Sequence, residues 1–177
     1  MAGETDKPVI LYNVPGRTGC NIEAETTLRL AADVPNIVGV KEASGKIDQI
    51  LAILKDRPED FTVLSGNDDD TLKIMKAGAD GVISVASNVA PAEMVRFVHA
   101  ALKGQAGATE AWQEAETLEA RLGELFRALF VEPNPIPGKA AMALLGLMEN
   151  SLRLPLVPAT EATETLMQHT LDALFKK

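Results

Sequence analysis

Short apolar runs alternate with helically spaced apolar stripes through the first hundred residues. Val9-Ile10-Leu11-Tyr12-Asn13-Val14 predicts a strand, stopped by Pro15-Gly16. Asn21 is placed to cap a helix that runs to about Asp33, with Glu23 and Glu25 at its positive end. Pro35-Asn36 then turns the chain into Ile37-Val38-Gly39-Val40, a run apolar enough for a strand buried on both faces. Ile47, Ile50, Leu51 and Leu54 have the spacing of an amphipathic helix ending before Pro58. Thr62 to Gly66 reads as a third strand, and Asp68 or Asp69 starts a helix through about Lys76. Asp80 to Val85 reads as a fourth strand, followed by a helix entered at Pro91.

Strands alternating with helices at this spacing predict consecutive βα units and a parallel sheet, an α/β fold. From about Gln105 the pattern changes. Leu118, Leu122, Leu125, Phe126 and Leu129 fall on one face of a long helix with charges on its far side. Pro133, Pro135 and Pro137 break it as a rigid turn, a shorter apolar helix covers about 139–147, and a last one follows Thr160. The expected organisation is βα units over 1–104 with a helical region over 105–177 packed on them as one structural unit. No low-complexity stretch marks a flexible linker.

The composition changes this picture little. The 177 residues are 46% hydrophobic and 24% charged, as in ordinary globular proteins. A net charge of -8 argues against nucleic acid or an anionic membrane as partner. No apolar run approaches the roughly 20 residues of a membrane span, and the first residues lack the pattern of a signal peptide, so a cytoplasmic location is expected. Cys20 is the one cysteine, and His99 and His169 fall on charged, solvent-facing helix stretches. Neither a metal nor an organic cofactor is therefore expected. Asn67-Asp68-Asp69-Asp70 reads as a helix start with dipole-complementing acids, in preference to a metal site. Trp112 reads as core or subunit contact.

The informative stretch is Ile37-Val38-Gly39-Val40-Lys41-Glu42-Ala43-Ser44-Gly45. An ammonium at the inner end of an apolar strand is costly unless it is used or neutralised. Two readings fit: a lysine that snorkels out at the strand end, or a desolvated amine suited to attack a ketone and form a Schiff base. Parallel α/β folds place their sites at the carboxyl ends of strands. There this chain offers Tyr12-Asn13, Lys41-Glu42, Gly66-Asn67-Asp68 and Ser84 to Asn88. A phenol to relay protons and a glycine that lets substrate approach the backbone suit imine chemistry at the lysine.

Tyr12-Asn13-Val14-Pro15-Gly16-Arg17-Thr18-Gly19 and Gly39-Val40-Lys41-Glu42-Ala43-Ser44-Gly45 resemble the two central signatures of the dihydrodipicolinate synthase family. That family belongs to the pyruvate-dependent Schiff-base aldolases, with N-acetylneuraminate lyase as a relative. The resemblance continues through Ser65-Gly66-Asn67-Asp68, Gly81 to Val85, Phe130 to Pro137 and Leu152-Arg153-Leu154-Pro155, almost the whole chain. It implies that Lys41 forms the imine with pyruvate and that Tyr12 shuttles protons. It further implies that Arg17 holds the carboxylate of L-aspartate-4-semialdehyde and that Gly66 and Ile83 line the pocket. Arg17 favours the synthase over the neuraminate-cleaving relatives, which lack it.

The family's fold is a (β/α)8 barrel plus C-terminal helices, and such barrels typically take about 250 residues. This chain accounts for the C-terminal half, four strands and the helical extension. The resemblance begins just before the fifth strand. The paired threonines that bind the pyruvate carboxylate and relay protons lie outside it, as do a tyrosine contributed across a dimer interface and most of the lysine-inhibitor site. Partners expected are therefore pyruvate, the semialdehyde, and either further copies of this chain or a complementing N-terminal half. Two classes of function are implied: a Schiff-base lyase acting once the barrel is complete, or a non-catalytic half-barrel serving in assembly. A related pyruvate aldolase with a different aldehyde is a variant of the first.

Overall fold

The computed structural model describes residues 2–176. The chain forms two compact units, one made of the residues up to Ser84 with Ala101–Ala108, the other of Val85–Ala100 with the residues from Thr109 on.

The first unit holds β1 (Val9–Asn13), the short α1 (Pro15–Thr18), α2 (Ala24–Asp33), β2 (Ile37–Glu42), α3 (Ile47–Asp56), β3 (Thr62–Ser65), α4 (Thr71–Lys76) and β4 (Gly81–Val82). The four strands form one sheet in the order β1-β2-β3-β4, every pair parallel. The order never reverses, so each connection steps to the next strand and the helices collect on one side of the sheet. Val40 and Val63 point to that side and are fully buried, with Ile50 and Ile53 of α3 and Ile74 and Met75 of α4. Fully burying such side chains contributes about 1.5–3 kcal/mol each.

The opposite face carries Ile10 and Tyr12, Gly39 and Lys41, Thr62 and Leu64, and Gly81, which face one another through the register. It is far more open: Ile10 and Tyr12 are each 47% exposed. In the second strand Gly39, on this face, is buried as Val40 and Glu42 are on the other, and the openness is confined to its end. Lys41 is correspondingly half-buried.

Several predicted boundaries shift for local reasons. The strand expected over 80–85 keeps only Gly81–Val82 in the sheet. Asn21 does not cap the first long helix; Glu23 occupies that position, and the Asn21 side chain turns inward instead. The helix expected to start at Asp68 or Asp69 starts at Thr71, after Asp70. In α3 the buried stripe is Ile50 and Ile53, and Leu51 faces outward. Residues 15–18, between the predicted first strand and helix, form a helical turn with Pro15 at its first position, where a missing N–H costs nothing.

Away from the carboxyl ends of the strands, Arg57 joins the entries to β3 and β4. Its guanidinium donates to the Phe61 carbonyl (2.9 Å), the Gly78 carbonyl (3.0 Å) and the Asp80 carboxylate, and Asp80 Oδ2 also accepts from Val63 N (2.8 Å). Arg57→Ala is expected to lower unfolding stability by about 1–3 kcal/mol, because it strips charged donors from two carbonyls and a carboxylate. A urea midpoint unchanged from wild type would contradict this.

The helix α5 (Pro91–Gln105) begins in the second unit. There α6 (Glu110–Ala128), α7 (Ile136–Leu144) and α8 (Glu161–Phe175) complete the helical part. The five residues predicted as one face, Leu118, Leu122, Leu125, Phe126 and Leu129, are all buried. Phe126 packs against Phe97 with ring centroids 6.4 Å apart. The helix expected over 139–147 begins earlier, at Ile136, because Pro137 sits in the first turn, where proline is tolerated. Thr160 caps α8 by accepting from Thr163 N, and Glu132 Oε1 accepts from Thr160 N (3.0 Å). Among the described residues no helix is long and apolar enough to cross a membrane.

Candidate active site

Four parallel strands end on one rim, and the residues singled out in the sequence sit there. Tyr12 pairs with Lys41 in the register of β1 and β2. In a parallel sheet such partners project to the same face, so phenol and amine are neighbours by construction. The Lys41 Nζ lies over the Tyr12 ring, 4.2 Å from its centroid. Such a cation–π contact contributes about 0.5–1 kcal/mol at a partly exposed site. Lys41 has no carboxylate partner among the described residues.

Gly66 follows β3 and sits against the lysine stem. A Cβ built there would lie 3.1 Å from Lys41 Cε and 2.5 Å from Ala43 Cβ. Ala43 Cβ leaves no room for a side chain at this position, and the lysine stem passes across the same space. The Gly66 N–H donates to the Glu42 carbonyl (2.7 Å), which extends the β2–β3 ladder one step past its end. Ile83 follows β4, donates its N–H to the Ser65 carbonyl (2.9 Å), and leaves its side chain 43% exposed. Arg17 lies on α1, the turn that follows β1, and its guanidinium is exposed and makes no ion pair among the described residues. The structure thus brings Tyr12, Lys41 and Gly66 into contact, places Ile83 beside them on the next strand end, and leaves Arg17 outside that contact.

Part of the acidic run after β3 is held by short-range bonds. Asn67 Nδ2 donates to Asp70 Oδ2 (2.9 Å), and Thr71 Oγ1 donates to the Asn67 carbonyl (2.9 Å). Burial first, and then the Asp70 charge beside it, push the Asp69 carboxyl above its usual range.

The sequence assigned no role to the residues behind Tyr12 and Lys41. Asn13 and Glu42, next in each strand, point to the opposite face and are each 1% exposed. Asn13 Nδ2 donates to both Glu42 oxygens (2.9 and 3.2 Å), and Gln49 Nε2 and Ser44 N donate to the same carboxylate (2.9 and 3.0 Å). Strand alternation carried the signal: a glutamate directly after an inward lysine must enter the helix side, where a carboxylate needs several donors.

A family model, the dihydrodipicolinate synthetase family, matches residues 1–174. The chain belongs to the dihydrodipicolinate synthetase family. The 4-hydroxy-tetrahydrodipicolinate synthase of Thermotoga maritima is 49% identical over 174 residues, which are 97% of this chain and 57% of that relative. The enzyme of that name from Porphyromonas gingivalis is 48% identical over 178 residues, 100% of this chain and 58% of its own length. The crystal structure of dihydrodipicolinate synthase from Thermotoga maritima aligns at a TM-score of 0.91 and 47% identity, over 97% of this chain and 57% of that one. The chloride-inhibited dihydrodipicolinate synthase of Acinetobacter baumannii, complexed with pyruvate, aligns at 0.90 and 38%, over 98% and 57%.

The chain therefore spans about 57% of the length of the synthetase-family members it matches, and corresponds to their C-terminal part. Its four parallel strands and helices are that part of a TIM barrel, with an extra helix at the C-terminus. Helices ring such a barrel on the outside, so the helix-free face bearing Tyr12 and Lys41 corresponds to the barrel interior.

Proposed function

We propose that this chain carries the imine-forming machinery of a Schiff-base lyase that condenses pyruvate with L-aspartate-4-semialdehyde, giving 4-hydroxy-tetrahydrodipicolinate on the route to lysine. The observation that carries the reading is the Lys41 amine lying 4.2 Å over the Tyr12 ring at the carboxyl ends of parallel strands. The names of the relatives and the pyruvate complex of the Acinetobacter baumannii enzyme support the choice of reaction and keto acid.

In this reading the Lys41 nitrogen adds to the pyruvate ketone and expels water, leaving an imine whose positive nitrogen is the electron sink. Loss of a methyl proton gives an enamine, and its carbon attacks the aldehyde of the semialdehyde. The semialdehyde's own amine then adds to the imine carbon and releases Lys41. Tyr12 relays the protons that imine formation and carbon–carbon bond formation require. Arg17 receives the semialdehyde carboxylate at the mouth, where a guanidinium fork suits two oxygens. Gly66 and Ile83 present backbone to the substrate.

The open face that carries Ile10 and Tyr12 is covered, in this proposal, by the remaining βα units of a barrel, in the same polypeptide or in another chain. A second reading rests on that same exposure: the chain serves as a non-catalytic half-barrel in assembly. Borohydride reduction with pyruvate, followed by peptide mass mapping, separates the two. A reduced pyruvate adduct on the Lys41 peptide supports the lyase, and an unmodified chain supports the assembly role. If the aldehyde partner is a different one, Arg17→Ala leaves turnover of the semialdehyde largely intact, whereas the synthase reading expects a loss of at least about 100-fold.

A further inference from the structure

The Glu42 carboxylate is the most deeply buried charge beside the site, and the proposed chemistry does not use it. It is 1% exposed, faces away from the substrate side, and makes no ion pair among the described residues; three N–H donor groups from three segments hold it instead, through four hydrogen bonds. Asn13 supplies the donor from β1, Gln49 the donor from α3, and Ser44 the donor from the turn after β2. Asn13 extends the cluster: its Oδ1 accepts from Ile22 N (3.0 Å) and its Nδ2 also reaches Asn21 Oδ1 (3.0 Å). Asn21 in turn donates to Gln49 Oε1 (2.8 Å).

The cluster is placed one residue beyond each member of the reactive pair. Asn13 follows Tyr12 and Glu42 follows Lys41, so a bond between the two back residues fixes the register of the two front ones. The segment 14–22, which includes Arg17, leaves β1 at Val14 and returns to the cluster at Asn21-Ile22. One carboxylate thus ties together the backbone that aims all three side chains.

We infer that Glu42 is a positioning residue: its buried carboxylate, gripped by Asn13, Gln49 and Ser44, locks the ends of β1 and β2 in the register that holds Lys41 over Tyr12. The inference rests on the reading of Lys41 and Tyr12 as the reactive pair, but its test needs no turnover. A glutamine at 42 keeps the shape and turns one acceptor oxygen into a donor that must face the amide donors of Asn13 and Gln49.

Lys41 lies over the face of the Tyr12 ring, so the ring current on its ε-methylene reports their contact. In the full chain labelled at the lysine ε-carbon, the Lys41 methylene is expected upfield of the other lysines. Its disappearance in Lys41→Arg assigns it, and Tyr12→Leu sets the unshifted position. Glu42→Gln is expected to remove at least half of the shift in protein that remains folded by circular dichroism. Asn13→Asp combined with Glu42→Gln exchanges acid and amide, and is expected to restore it. Should Glu42→Gln not fold, Gln49→Met, which deletes one donor at a half-buried position, is expected to reduce the shift. A Glu42 that only stabilised the fold would lower the melting temperature and leave the shift of the folded protein in place; that result would overturn the inference. Failure of pyruvate trapping would count against the lyase reading and leave this result standing.

Discussion

Lys41→Ala is expected to abolish capture of pyruvate under borohydride, a loss of adduct beyond about 100-fold, with little change in fold. An imine needs a nitrogen lone pair at the end of a flexible stem, and Lys41 supplies it beside the Tyr12 ring. Lys41→Arg should fail equally, since a guanidinium stays protonated. The structural cost is small because Lys41 is half-buried and the contact of its nitrogen with the Tyr12 ring is worth about 0.5–1 kcal/mol. Thermal unfolding should therefore move by only a few degrees. Tyr12→Phe keeps the ring under the ammonium and removes the hydroxyl, so it should retain the fold and slow adduct formation by about 10²–10⁴-fold. Peptide mapping of the reduced chain decides the matter: an adduct that persists in Lys41→Ala places the reactive amine elsewhere.

The half-burial of Lys41 also changes the explanation that the sequence suggests. An apolar run ending in lysine reads as a desolvated amine, because the sequence cannot tell which face of a strand meets helices. In the fold, Val40 and Val63 are fully buried on the helix side, while Lys41 on the other face is half-buried. Proximity to Tyr12, given by parallel register, is the feature that the structure adds.

Much of the architecture was legible because strong periodicity and punctuation carry it. The stripe Leu118, Leu122, Leu125, Phe126 and Leu129 is long enough for the helical period to be unambiguous, and all five are buried. Proline placement likewise located the turns near 15 and 35 and the helix entered at Pro91. What was not legible depends on contacts remote in sequence. Asn21 has the chemistry of an N-cap, but Asn13 and Gln49 draw it inward, and a cap is worth only about 1 kcal/mol against such a cluster. The fourth strand carries apolar residues to Val85, yet only Gly81–Val82 pair with β3, itself four residues long. The motif residues Glu42 and Asn13 were visible, but their task was not, since it exists only once the two strand ends lie side by side.

Gly66→Ala is expected to damage both stability and the site, and for one reason: there is no room. The added methyl would lie 2.5 Å from Ala43 Cβ, 3.1 Å from the Glu42 carbonyl oxygen and 3.1 Å from Lys41 Cε. Contact with a flexible lysine stem is cheap to relieve, but Ala43 Cβ has no rotamer to change, and the Gly66 N–H is committed to the Glu42 carbonyl at 2.7 Å. The backbone at Gly66 therefore cannot back away without stretching a bond at the end of the β2–β3 ladder. Overpacking of this kind costs about 1–3 kcal/mol, seen as a lower urea midpoint. The lysine stem must also swing aside, so pyruvate capture by the folded variant should slow by at least about 10-fold. Because the worst contact is with a single methyl, Ala43→Gly should relieve it, and the pair should couple favourably in a double-mutant cycle. Additive losses in that cycle would mean that the space at Gly66 is not what the lysine depends on.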